Sequence, residues 1–195
     1  MYPDTQLRLH ANARVLPFHL RFDASSDLNQ SAPYFEALAD RSRRLGAAAM
    51  SIHAGERVNT DDTGLYDNLS RIQDIFGDIR VAVEGMYPST RTPYLMDTRE
   101  AYEDVLRRGV PFALDLSHLQ IVAHQQQTDC TDLARDMVAS PQCLEVHLSD
   151  NDSVSDRHNL LCEVPWWWEV LEHTHENALL FTEGNQIRHQ RSIAA

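Results

Sequence analysis

Six apolar runs along the chain, VLPFHLRF, AMSIHAG, VAVEG, FALDLSH, LEVHLSD and LLFTEGN, each carry a histidine or a carboxylate. In five of them it stands at or near the C-terminal end; in the first, His19 falls just past the middle. Apolar strands normally exclude charge, because burying an unpaired ionised group is costly. A bound cation removes that cost. The same polar intrusion at the same place in successive strands therefore constrains the fold: these ends must meet at one point.

Between the runs the pattern is helical. Phe35, Leu38 and Leu45 recur at near-helical spacing after Ser31, read as an N-cap, and Pro33; Gly46 ends that segment. Leu65, Leu69, Ile72 and Phe76 mark a second helix, closed by Gly77. A third starts at Asp97 or Thr98 and ends at Gly109, a fourth spans Thr131–Ala139, and Pro165 opens a helix over WWWEVLEH. Strands are expected at Val15–Phe22, Ala47–Ala54, Ile79–Gly85, Gly109–Leu116, Cys143–Ser149 and Ala178–Glu183, with residues 1–14 as the tail of a helix. Near-continuous apolar strands alternating with helices imply a parallel sheet covered on both faces. An open doubly wound sheet gathers ligands only at its switch point. Ligands from six consecutive strands require a ring, closed or nearly so. The fold expected is α/β, a (β/α) TIM-type barrel occupying residues 1–195 as one domain, incomplete at about six strands where a full barrel has eight and about 250 residues. Two open sheet edges would be aggregation sites unless covered, so a homodimer or a covering segment is expected.

The candidate ligands are His19, His53, Glu84, Asp115, His118, His147, Asp156, His158 and Glu183. Nitrogen and oxygen donors of this kind suit zinc, iron or manganese. Their number exceeds the needs of one ion, so two or three divalent metal ions are expected, with Glu84 or Glu183 bridging and acting in catalysis. Ions that close together clamp the attacking and leaving oxygens of a displacement. His10, His124, His173 and His175 fall outside the strand-end pattern and read as surface residues. Arg57 and Arg157 stand beside candidate ligands, either to bind an anionic group or to pair with an acid. The polar stretch Ala54–Gly64 reads as a lid, Asp150 and Asp152 as loop caps. Of Trp166, Trp167 and Trp168, at least one must be exposed and core packing is the expected role of the group.

A net charge of -12 argues against gripping nucleic acid by bulk electrostatics, although bound cations can supply a local positive field. Three cysteines, Cys130, Cys143 and Cys162, have no CxxC spacing, which excludes a zinc ribbon and disfavours a disulfide scaffold. The first residues lack a signal peptide's apolar run, and no stretch is long enough to span a bilayer. No membrane association is expected, and the cytoplasm is the expected compartment.

Together these motifs resemble the xylose-isomerase-like barrel superfamily, and within it endonuclease IV. FHL resembles that family's first metal histidine at His19, SIHAG the second at His53, and VAVEG its bridging glutamate at Glu84. DLSH matches an Asp-x-x-His pair at Asp115 and His118; EVHLSD with SDRHNL supplies His147, Asp156 and His158; TEGN supplies Glu183. The resemblance implies a zinc-favouring hydrolase of phosphoester bonds. The chain departs from that family in its acidity, and in lacking Gly-Glu-Gly after DRH and Thr-Pro after the last glutamate. The segment PYLMDTREAYEDVLRRG also resembles the multinuclear iron oxidases that modify peptide cysteines, although that group usually has Asn where this chain has His118. Sugar isomerases and epimerases of the superfamily are the third relatives. The substrate is thus left open among a small molecule, a peptide and a nucleic acid.

Overall fold

The computed structural model describes residues 7–10 and 22–184. Its elements alternate: β1 (Leu9–His10), α1 (Leu28–Leu45), β2 (Ala49–His53), α2 (Asp62–Phe76), β3 (Arg80–Glu84), α3 (Arg99–Arg108), β4 (Phe112–Asp115), α4 (Leu116–Gln126), α5 (Thr131–Ala139), β5 (Cys143–Leu148), a 3-10 segment (Trp168–His173) and β6 (Leu179–Thr182). The six strands are all parallel and pair in chain order. They curl into a half-barrel of the TIM type. The curl is evident in one contact: Arg8, next to β1, lies 3.8 Å from Glu145 on β5, although three strands separate these two in the sheet.

Side-chain phase explains the two faces. On β2 to β4, Met50, Ile52, Val81, Val83, Phe112 and Leu114 point outward into the helices and form the main core with Phe35, Leu38, Ile72 and Phe76. The alternate positions point inward, where Ala49, Ala82, Ala113 and Leu144 form a small second cluster beneath the polar rim. Small residues suit the crowded inner side of a strongly curled sheet.

The helices start where their caps dictate. Asp27, Asp61 and Thr98 each accept from a backbone N–H of the first turn. Helix α1 thus begins a turn earlier than Ser31; that hydroxyl instead donates back to Asp27 O at 2.9 Å, and Pro33 lies inside the helix. Asp61 likewise shortens the expected lid, since Asp62 already belongs to α2.

Other expectations are overturned. Residues 1–14 are not uniformly a helix tail: Leu9–His10 is a strand in register with Met50–Ser51. The expected strand at Val15–Phe22, with His19, lies outside the described residues except for Phe22, which is not in a strand. Pro165 precedes a 3-10 segment rather than an α-helix. Trp167 is fully buried, whereas Trp166 and Trp168 are partly exposed. Cys130, Cys143 and Cys162 are free thiols. Among the described residues, no helix is long and apolar enough to cross a membrane.

Candidate metal centre

Because the strands are parallel, their C-terminal ends share one rim, and the inward phase sets which side chain each presents there. The rim gathers His53 from β2, Glu84 from β3, Asp115 from β4, His147 from β5 and, one residue beyond β6, Glu183. His118 follows in the first turn of α4, and Asp156 and His158 come from the loop after β5. Donor atoms fall into three groups, each within 4.8 Å: His10, His53 and Glu84; Glu84, Asp115 and His118; Asp115, His147 and Glu183. Glu84 belongs to two of them, and so does Asp115. The groups are therefore linked in a row.

His10 is the member that sequence reasoning missed. It was expected at the surface, but its Nε2 sits 2.7 Å from Glu84 Oε2, and its ring centroid is 4.7 Å from that of His53. The cause is the segment LRLH leading into β1, which alternates so that Leu9 packs on the core while Arg8 and His10 face inward. Four residues are too few for such alternation to stand out in a sequence.

The imidazoles are oriented from behind. His118 Nδ1 donates to Gly85 O at 2.8 Å, leaving Nε2 3.7 Å from Asp115 Oδ2 and 3.5 Å from Asp156 Oδ2. Gly85 permits this geometry, since a Cβ there would lie 2.3 Å from the Tyr102 ring. Asp115 divides its oxygens: Oδ1 accepts from Ser117 N at 2.7 Å and His118 N at 3.1 Å, starting α4, and Oδ2 faces the cluster. His158 lies 3.1 Å from Asp156 and 3.4 Å from Glu183.

The protonation balance is that of a dense ion-pair cluster. Burial alone would raise the Glu84 carboxyl, but the charges of His147 and His53 and the hydrogen bond from His10 outweigh it and hold the group well below the ordinary range. Burial would likewise lower His118, yet Asp115, Asp156 and Glu84 push it up to about 10. At His53 burial wins and the pKa falls. Burial pushes Glu183 up.

The donor set suits divalent cations. Asp115 Oδ2, His147 Nδ1, Asp156 Oδ1 and His158 Nδ1 are buried yet lack a hydrogen-bond partner. Unpaired buried polar atoms cost about 1–3 kcal/mol each, and all four belong to the candidate donors of the rim. Nitrogen and carboxylate oxygen without thiolate is a donor chemistry of zinc, iron and manganese.

A cavity of about 780 Å³ opens over the rim, with Phe22, Tyr87 and Tyr94 on its walls beside Asp23 and Glu56. Tyr87 packs 4.7 Å from the His118 ring. Of the two arginines considered for anion binding, Arg57 is engaged by Asp97 at 3.0 Å and Asp62 at 3.3 Å, and Arg157 by Asp152 at 2.8 Å. Asp152 also caps its loop through Val154 N and Ser155 N. Cys162 lines a separate surface hollow.

The fold and rim define the class: a TIM-type half-barrel with a row of candidate metal donors at the C-terminal ends of its strands. No protein-family model matches the chain, and no curated protein does. Solved structures do match in fold. A D-tagatose 3-epimerase-like protein superposes with a TM-score of 0.66 at 15% identity, over 98% of this chain and 76% of that one. A Thermus thermophilus protein from crystals soaked in zinc chloride gives 0.57 at 20% identity, over 97% and 78%. Endonuclease IV of the same organism gives 0.59 at 13% identity, over 97% and 73%.

Proposed function

We propose that this chain is a multinuclear, divalent-metal-dependent enzyme that hydrolyses phosphoester bonds. The observation that carries the reading is the row of three donor groups joined through Glu84 and Asp115. A mononuclear site needs one such group; two shared carboxylates are what adjacent ions require. The zinc-soaked structure and endonuclease IV among the fold neighbours support the same direction.

His10, His53, Glu84, Asp115, His118, His147, Asp156, His158 and Glu183 would hold the ions, with zinc favoured. Bound ions would supply Lewis acidity to a phosphoryl oxygen and lower the pKa of a water for attack on phosphorus. The chain's own residues do the rest. Glu84, 1% exposed and lining the floor of the cavity, would be a ligand shared between ions. The Glu183 side chain is 29% exposed on the cavity wall, where its carboxylate can take a proton from an entering water and return it to a leaving oxygen. Tyr87 and Tyr94 offer ring faces to the part of the substrate beyond the reacting centre.

A second reading, a sugar isomerase or epimerase, is favoured by a different observation. The described cavity walls carry Asp23 and Glu56 but no arginine or lysine, which suits a neutral polyol better than a polyanion. Metal content and paired assays separate the readings. The protein is purified anaerobically without added metal and analysed for elements, then assayed on bis(p-nitrophenyl) phosphate and on a set of ketoses. Two or three zinc ions with diester cleavage are expected. One ion with ketose epimerisation would replace the proposal by the second reading. Two or three irons with a visible charge-transfer band would replace it by an oxidase acting on a peptide or small thiol.

A further inference from the structure

We infer that Glu145 is a positioning residue that fixes which nitrogen of His147 faces the metal row, an inference that rests on the metal reading above. Glu145 is a carboxylate on an apolar strand, 2% exposed, two residues before a candidate ligand. Its Oε2 accepts from His147 Nε2 at 3.2 Å. The opposite ring nitrogen, Nδ1, is then 3.5 Å from both Glu84 Oε1 and Glu183 Oε1. It is buried there with no hydrogen-bond partner. A carboxylate on one nitrogen with the other left open is the arrangement that orients a ligating imidazole and sets its tautomer. Behind Glu145 stands Arg8, whose Nε is 3.8 Å from the second oxygen, Oε1.

The backbone is shaped for this pair. Phe112 pairs with Cys143, but Ala113 pairs with Glu145, so Leu144 is an extra residue on β5. Without that bulge Ala113 would pair with Leu144, and Asp115 with Val146. Glu145 and His147 would then point into the helices, since a one-residue slip reverses every following side chain. The bulge turns both inward together, which places acceptor and imidazole on one face two residues apart.

The test combines zinc titration with long-range proton–nitrogen spectra of the histidine rings in wild type, Glu145→Ala and Glu145→Gln. Wild type should show a protected Nε2 proton on His147, with and without zinc, and coordination through Nδ1. Glu145→Ala should lose that proton signal and bind one of its zinc ions about 10–100-fold more weakly. Glu145→Gln keeps a neutral acceptor, so its signal should persist but move toward that of a weaker bond. A role confined to stability would lower the melting temperature while leaving proton signal, coordinated nitrogen and zinc affinity unchanged, and that result overturns the assignment. Should the alanine variant fail to fold, an unmoved signal in Glu145→Gln overturns it equally. If wild type takes up no zinc but the signal still depends on Glu145, the metal reading falls while the orienting role of Glu145 stands.

Discussion

The middle of the half-barrel and its two edges hold their donors by different means. On β3, β4 and β5 nearly every residue is buried, each strand is hydrogen-bonded on both sides, and Glu84, Asp115 and His147 are placed by the backbone. At the edges, β1 is two residues long and partly exposed, and β6 alternates between partly buried and exposed positions, with Leu180 49% exposed. There His10 is held to Glu84 by a side-chain contact, and Glu183 faces His147 and His158. Central donors are thus fixed by folding, whereas edge donors depend on the charges they meet. Ions in the row would join the two edges to the centre.

The largest effect should come from removing the central charge. Glu84→Ala leaves His10, His53 and His147 clustered without their shared carboxylate and should destabilise the metal-free protein by about 3–5 kcal/mol, measured by urea unfolding. A smaller loss would mean that the centre does not depend on its carboxylate as the comparison requires. Chelation comes next. At a free-ion level a hundredfold above Kd, each ion adds about 2.7 kcal/mol, so removing it should lower the melting temperature and speed amide exchange at Leu9–His10 and Leu179–Thr182 more than at Arg80–Glu84. Equal acceleration everywhere would erase the distinction between edge and centre. His10→Ala removes one edge donor and should weaken one ion about 10–100-fold, roughly 1.4–2.7 kcal/mol, with little effect on the metal-free fold; calorimetric titration checks both.

The smallest effect concerns Tyr102, which is wholly buried beneath the centre and donates to Met86 O at 2.8 Å. Burial, with the nearby charges of Asp115 and Glu84, lifts its pKa well above the ordinary 10.0. The neutral phenol is thus favoured in the folded state. Stability is complete below that ordinary value and falls as pH rises beyond it, because the unfolded chain releases the proton first. Tyr102→Phe should cost about 1 kcal/mol at neutral pH and flatten the alkaline decline in a melting-temperature profile.

The sequence made the central strands legible and the edges not. SIHAG, VAVEG, FALD and LEVH show apolar stretches broken by one or two polar residues, because each of those strands is largely buried on both faces. The segment LRLH ends in a strand of only two residues, and its inward arginine and histidine look like surface residues until the curl brings β3 and β5 opposite them. Helix α4 was also missed, because LSHLQIVAHQQ follows β4 with no connecting loop and its cap is the strand's own last residue. Glu145 passed unnoticed for a related reason: alternation read straight through CLEVHL sees no bulge, which appears only against its neighbour.

Asp115 closes a strand, starts a helix and aims one oxygen at the cluster, all without an intervening loop. Its free oxygen is therefore oriented as soon as α4 takes its first turn. An incoming ion would meet a donor whose rotational freedom has already been surrendered during folding. The same economy makes the position intolerant of length: a glutamate there would reach past either the amides or the cluster, so the chemistry of the rim and the first turn of α4 are bound to a single methylene.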